Sequence, residues 1–210
     1  MDRELNRIIE KSTKIIYIGA NYHSYVETNH LQKPSRPVMF FKPISSIILN
    51  NQKIIKPLRS EQVEFEAELG VIISKTCKDI SIQDASKFIY GFTCINDVTA
   101  RDLQKDNSQW DESKAFDTFC PIGPIIKPEI NLSNCKISCL VNGIVKQNDN
   151  ICNMIFPVPT LISFLSSIMT LSPGDIISTG TPAGSGKLLA GDIVEIKIDD
   201  IGTLKNEFSF

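Results

Sequence analysis

Two glutamates two positions apart, Glu66 and Glu68, sit in the run Phe65-Glu66-Ala67-Glu68-Leu69-Gly70-Val71-Ile72-Ile73. The β-branched end of this run predicts a strand, and strand side chains alternate between faces. Phe65, Ala67, Leu69, Val71 and Ile73 then form an apolar face, and Glu66, Glu68 and Gly70 form the other. Residues two apart on a strand are roughly 6.5–7 Å apart at the backbone, so both carboxylates can converge on one small cation. The plainer alternative is a solvated acidic face, on a strand or on a helix running through Glu61, Glu64 and Glu68. A metal site needs a third ligand, and Asp97, at the exit of the expected strand Tyr90–Asn96, is the candidate.

Two Glu and one Asp offer oxygen alone. That set suits a hard octahedral ion, Mg²⁺ or alternatively Mn²⁺, better than Zn²⁺, and leaves coordination positions open for water or substrate. Three carboxylates around one divalent ion leave net negative charge. An anionic substrate therefore calls for nearby cations, and Arg101 and Lys114 are available, although each is of a type that more often lies on the surface. A further acid–base pair is conceivable in Asn21–His30, which holds both histidines. If that stretch is helical, His23, Glu27 and His30 share a face; the alternative is a solvated polar turn. The glycine-rich run Gly180–Lys187 lacks both the P-loop order and the Gly-x-Gly-x-x-Gly spacing, so nucleotide binding is rejected. Thr181 in that run can still offer a hydroxyl to a carboxylate.

The elements that must hold these groups read as a mainly β (α+β) chain. Residues 3–12 predict an amphipathic helix with Leu5, Ile8 and Ile9 inward, and Lys14–Gly19 a strand, so that residues 1–20 lead into the rest. Strands are expected at Val38–Lys42, Tyr90–Asn96 and Lys136–Val141, with a hairpin turn at Asn142-Gly143 and a return over Ile144–Gln147. Helices are expected from Ser81 to Ile89, with Ser81 as N-cap, and from Pro159 to Met169. From Leu189 onward the alternation predicts a half-exposed hairpin.

The 210 residues fit one domain, 1–210. With 22 basic and 24 acidic residues, a net charge of -2 and no block of like charge, there is no footprint for nucleic acid or an anionic membrane; a small molecule is the expected partner. The charged beginning and the lack of a long apolar run predict a cytoplasmic protein without leader or membrane anchor. Six cysteines without a Cys-x-x-Cys pair are expected to be reduced.

Taken together, Asn21-Tyr22, Phe41-Lys42-Pro43, Glu66-Ala67-Glu68-Leu69-Gly70, Asn96–Asp102, Phe116–Phe119, Val141-Asn142-Gly143, Gly174-Asp175 and Thr179–Pro182 resemble the fumarylacetoacetate hydrolase family in its small single-domain form. The likeness runs from Gly19 to the C-terminus and points to the branch of acylpyruvate hydrolases and oxaloacetate decarboxylases or tautomerases. It implies a mixed β-sandwich roll, a homodimer, and Mg²⁺ on Glu66, Glu68 and Asp97. It further implies that Arg101, Gln104 and Lys114 hold a substrate carboxylate or stabilise an enolate, and that Gln147 and Thr181 make additional substrate contacts. The expected substrate is a small 2-oxo acid that chelates the metal. In register, the hydrolytic branch carries a His and a Glu where this chain has Tyr25 and Thr28, and an Arg where it has Ala20. His23 and Glu27, one or two positions away, are the stand-ins. Three activities follow: a hydrolase or decarboxylase, a keto–enol tautomerase that needs no activated water, or a non-catalytic binder of metal and 2-oxo acid.

Overall fold

The computed structural model describes residues 3–105 and 109–210; Met1 and Asp2, part of the charged beginning read above, lie outside them. The architecture is a mainly β roll. A mixed seven-stranded sheet runs in the order Val38–Lys42, Ile15–Gly19, Ile176–Ser178, Ala67–Ile73, Ile89–Asn96, Cys120–Lys127, Ile47–Leu49. A five-stranded sheet runs Ile144–Asn150, Lys136–Val141, Ile193–Ile198, Gly202–Ser209, Lys53–Ile55. Gly186–Lys187, Val63–Phe65 and Thr99–Ala100 form a small third sheet. Among the described residues no helix is long and apolar enough to cross a membrane.

The alternation in Phe65–Ile73 does what strand geometry requires. Phe65, Ala67, Leu69, Val71 and Ile73 join the main core, where Ile137, Cys139, Val194 and Ile196 of the five-stranded sheet meet them. Ile72, on the other face, enters a second core with Ile15, Tyr17, Phe40 and Ile95, capped by Leu5 of the helix Arg3–Lys11. The central strand is thus buried on both faces, which is why a carboxylate on it is shielded from water.

The expected continuous strand is interrupted. Val63–Phe65 pairs in the small sheet and Ala67–Ile73 in the large one, so Glu66 is the residue at which the chain crosses between them. Its backbone groups are satisfied at the crossing: its N–H donates to Asn96 Oδ1 (3.0 Å) and its carbonyl accepts from Asp97 N–H (2.9 Å).

Elsewhere the Asn142-Gly143 hairpin forms, with φ of 52° and 78° at the two turn residues, as a type I′ turn demands. The late helix runs Val158–Ile168. The helix expected over Ser81–Ile89 is reduced to a 3₁₀ turn at Ala85–Phe88, because Ser81 and Asp84 close a local turn (Asp84 N–H to Ser81 Oγ, 3.2 Å) and Ile89 already begins the next strand. Buried Asp175 ties the N-terminal strand to the turn before Ile176–Ser178, accepting from Thr13 Oγ1 (2.7 Å) and Ser172 N–H (2.7 Å) and pairing with Lys14 (2.5 Å).

Candidate metal and substrate site

Strand register brings the three carboxylates together. Ala67 pairs with Asn96 across antiparallel strands, so Glu66 and Asp97, one step beyond that pair, stand side by side, and Glu68 follows on the same face as Glu66. One oxygen from each of Glu66, Glu68 and Asp97 lies within 4.8 Å of the others, and all three residues are buried.

Two buried cations, Lys114 and Lys42, and the partly buried Arg101 answer them. Lys114 Nζ donates to Glu66 Oε2 (3.0 Å) and Asp97 Oδ2 (2.5 Å). Lys42 Nζ lies 2.5 Å from Asp97 Oδ1 and donates to the carbonyls of Val98 (2.9 Å) and Phe119 (2.6 Å). Arg101 pairs with Glu64 (2.8 Å) and Glu66, and donates to Gln104 Oε1. Two aromatic faces add to this charge compensation: Lys42 sits 4.9 Å from the Tyr17 ring centroid and Lys114 5.0 Å from that of Phe40.

The electrostatics divide the set. Burial works against the charge on Asp97, but Lys114 and Lys42 outweigh it and hold the carboxyl below its usual range. Burial would also lower Lys114, yet Asp97 and Glu66 raise it, so it stays a cation. Lys42 is lowered by its burial, against the pull of Asp97. Glu68 has no cation of its own among the described residues. Burial, then the charges of Asp97 and Glu66, push its carboxyl well up, and Ser178 Oγ (2.5 Å) and Gly180 N–H (2.9 Å) bond to Oε2.

This donor set fits a hard divalent ion. It consists of oxygen alone, one atom from each of three buried carboxylates lying within 4.8 Å of the others, and Glu68 among them has no counter-ion among the described residues. Gly180 is needed where it stands. Its φ is 96°, and a Cβ there would lie 2.7 Å from Asn21 Cβ, so only glycine lets its N–H reach Glu68.

The carboxylates open into a cavity of about 110 Å³, lined also by Tyr25, Phe40, Arg101, Gln104, Trp110, Lys114 and Thr181. That is well below the roughly 300–1,000 Å³ typical of drug-sized ligand sites, and suits a small molecule. A groove of about 700 Å³ elsewhere, between Glu4, Leu5, Asn50 and Ile125, holds no cluster of this kind among the described residues.

The structure therefore brings Glu66, Glu68, Asp97, Arg101, Gln104, Lys114 and Thr181 to one place. Gln147 lies behind it: its amide is spent on Ala67 N–H (2.9 Å), Thr181 Oγ1 (2.8 Å) and the Pro182 carbonyl (2.8 Å), so it props the strand. His23 and Glu27 are not brought in. They lie on the helix His23–Thr28, and both are exposed. That helix buries Val26 and turns Tyr25 toward the cavity, and at 100° per residue this leaves His23 and Glu27 facing outward; His30, with φ of 53°, lies exposed in the turn beyond the helix. Sequence reasoning assigned no role to Lys42, Ser178 or Gly180. A lysine ending the apolar run Val38–Phe41 is the one signal that could have marked a buried cation.

Comparison with known proteins gives a family. The model of the fumarylacetoacetate (FAA) hydrolase C-terminal domain matches residues 14–209. An uncharacterised protein of Methanocaldococcus jannaschii is 52% identical over 196 residues, covering 93% of this chain and 83% of its own. The mitochondrial oxaloacetate decarboxylase of Dictyostelium discoideum is 40% identical over 206 residues (95% and 94%), and the mitochondrial oxaloacetate tautomerase Fahd2a of Rattus norvegicus 38% over 210 residues (95% and 67%). Among solved structures, fumarylpyruvate hydrolase from Pseudomonas aeruginosa in complex with Mn²⁺ and pyruvate superposes with a TM-score of 0.89 at 27% identity, covering 95% of this chain and 90% of that one.

Lys42→Met removes one of the two buried cations on Asp97 while keeping the side-chain length. It is expected to lower metal-free stability by about 3 kcal/mol, as breaking a buried pair does, read from the midpoint of chemical denaturation.

Proposed function

The chain belongs to the fumarylacetoacetate hydrolase family, and from that membership we propose that it is a divalent-metal-dependent enzyme acting on small 2-oxo acids, of the oxaloacetate or acylpyruvate kind, through an enolate. The observation that carries this is the buried cluster of Glu66, Glu68 and Asp97, with Lys114 bridging two of its members at the mouth of a small cavity. Glu66, Glu68 and Asp97 would hold Mg²⁺ or Mn²⁺, which when bound supplies Lewis-acid polarisation of the substrate's oxygens. Manganese accompanies pyruvate in the fumarylpyruvate hydrolase structure noted above.

The chain's own residues take the remaining roles. Lys114 keeps a fixed positive charge beside the place where enolate charge develops, which stabilises that charge without reorganisation. Arg101 and Gln104, on the helix Arg101–Lys105, present a cation and an amide to a substrate carboxylate. Thr181 lines the cavity and Gln147 holds it in position.

Within this reading, keto–enol exchange or decarboxylation is favoured over hydrolysis. Hydrolysis needs a base for water, and His23 and Glu27 face outward. The names of the Rattus and Dictyostelium relatives carry those two activities. Cytoplasmic residence and a homodimer belong to the same proposal; light scattering of the purified protein checks the dimer by a mass twice that of the chain.

Incubation with oxaloacetate, with and without Mg²⁺ or Mn²⁺, tests the activity, followed by enol absorbance and pyruvate release. Metal-dependent enol loss, with or without pyruvate, is expected, and Lys114→Ala should slow it about 10²-fold or more. Tight binding of metal and 2-oxo acids with no turnover on oxaloacetate or acylpyruvates would make the protein a binder rather than an enzyme.

A further inference from the structure

The segment between the strand Ile15–Gly19 and the helix His23–Thr28 is pinned at several points, none of which involves Tyr25. Asn21 Nδ2 donates to the carbonyls of Thr179 (2.7 Å) and Phe156 (3.1 Å), and Asn21 Oδ1 accepts from Phe156 N–H (2.8 Å). Tyr22 bridges to Met154, Ser24 Oγ donates to Asp149 (2.6 Å) and accepts from Ala183 N–H (3.2 Å), and Val26 is buried. The helix is thereby held in one orientation, and in that orientation Tyr25 lines the cavity beside Glu66, Glu68 and Asp97.

The two cations that line the cavity each have carboxylate partners in the protein. Lys114 bonds to Glu66 and Asp97, and Arg101 to Glu64, Glu66 and Gln104. Two hydroxyl side chains line the cavity among the described residues: Thr181 donates to the Ala67 carbonyl (2.9 Å), whereas the Tyr25 hydroxyl makes no hydrogen bond with any described residue. A phenol held by its helix, partly buried and without a partner, is a donor set aside for a ligand.

We propose that Tyr25 is a substrate-contacting residue whose hydroxyl donates a hydrogen bond to an oxygen of the bound 2-oxo acid. This rests on the metal and 2-oxo acid reading given above. A phenol is protonated at neutral pH and so is able to donate. This role also accounts for the helix presenting its one aromatic hydroxyl inward and its ionisable residues outward.

The test is Tyr25→Phe in the full chain loaded with Mn²⁺, with oxalate and pyruvate as probes. Mn²⁺ affinity is followed by electron paramagnetic resonance, and probe affinity by calorimetry. Because the hydroxyl has no protein partner, the variant should keep the wild-type unfolding midpoint and Mn²⁺ affinity while losing about tenfold or more in oxalate and pyruvate affinity, the range for one hydrogen bond to a charged group. Unchanged probe affinity overturns the role of Tyr25 alone. A parallel loss of Mn²⁺ affinity marks a structural role and also overturns it, and failure of the Mn²⁺-loaded wild type to bind either probe overturns this proposal together with the function on which it rests.

Discussion

Three carboxylates confined within a few ångströms of one another, away from water, are the constraint around which this chain is arranged. Burying one uncompensated carboxylate is costly, and burying three together compounds the cost through mutual repulsion. Lys42, Lys114 and Arg101 supply the compensating charge, each drawn from a different stretch of the sequence. The compensation is uneven. Among the described residues Asp97 has two cations and Glu66 has two, whereas Glu68 has only a hydroxyl and a backbone N–H. A divalent cation would relieve the member left without a counter-ion.

Positions in the cluster follow from backbone register. The chain changes sheets at Glu66, and Asn96 and Asp97 satisfy the backbone there, so the structural need to close that crossing is also what sets Asp97 beside Glu66. Gly180 fills a similar double role. Its left-handed backbone allows close packing on Asn21, and the same residue gives Glu68 its N–H. Such coupling ties the integrity of the fold to the geometry of the site.

Much of this was legible in the residues themselves. Alternation in Phe65–Ile73 separated the acidic face from the core face, and the exit of the strand ending at Asn96 pointed to Asp97. What could not be read is what depends on long-range packing. Whether Lys42 is buried depends on Val98 and Phe119, more than fifty residues away. The spacing of His23 and Glu27 correctly suggested a shared helical face, whereas His30 falls in the turn beyond the helix; which face turns inward is decided by Val26, Asn21 and Ser24 and their distant partners. The turn at Ser81 and Asp84 shows the converse: a good N-cap residue also closes a local turn, and the short distance to the strand at Ile89 leaves no room for a helix.

The most direct measurement is a Mn²⁺ titration of the purified chain followed by electron paramagnetic resonance, alongside Glu68→Gln with its fold checked by circular dichroism. One Mn²⁺ per chain in the wild type, with affinity lowered at least tenfold in Glu68→Gln at unchanged fold, is the expected result. No stoichiometric Mn²⁺ binding, or equal affinity in the two proteins, would contradict the assignment of Glu66, Glu68 and Asp97 as a metal centre.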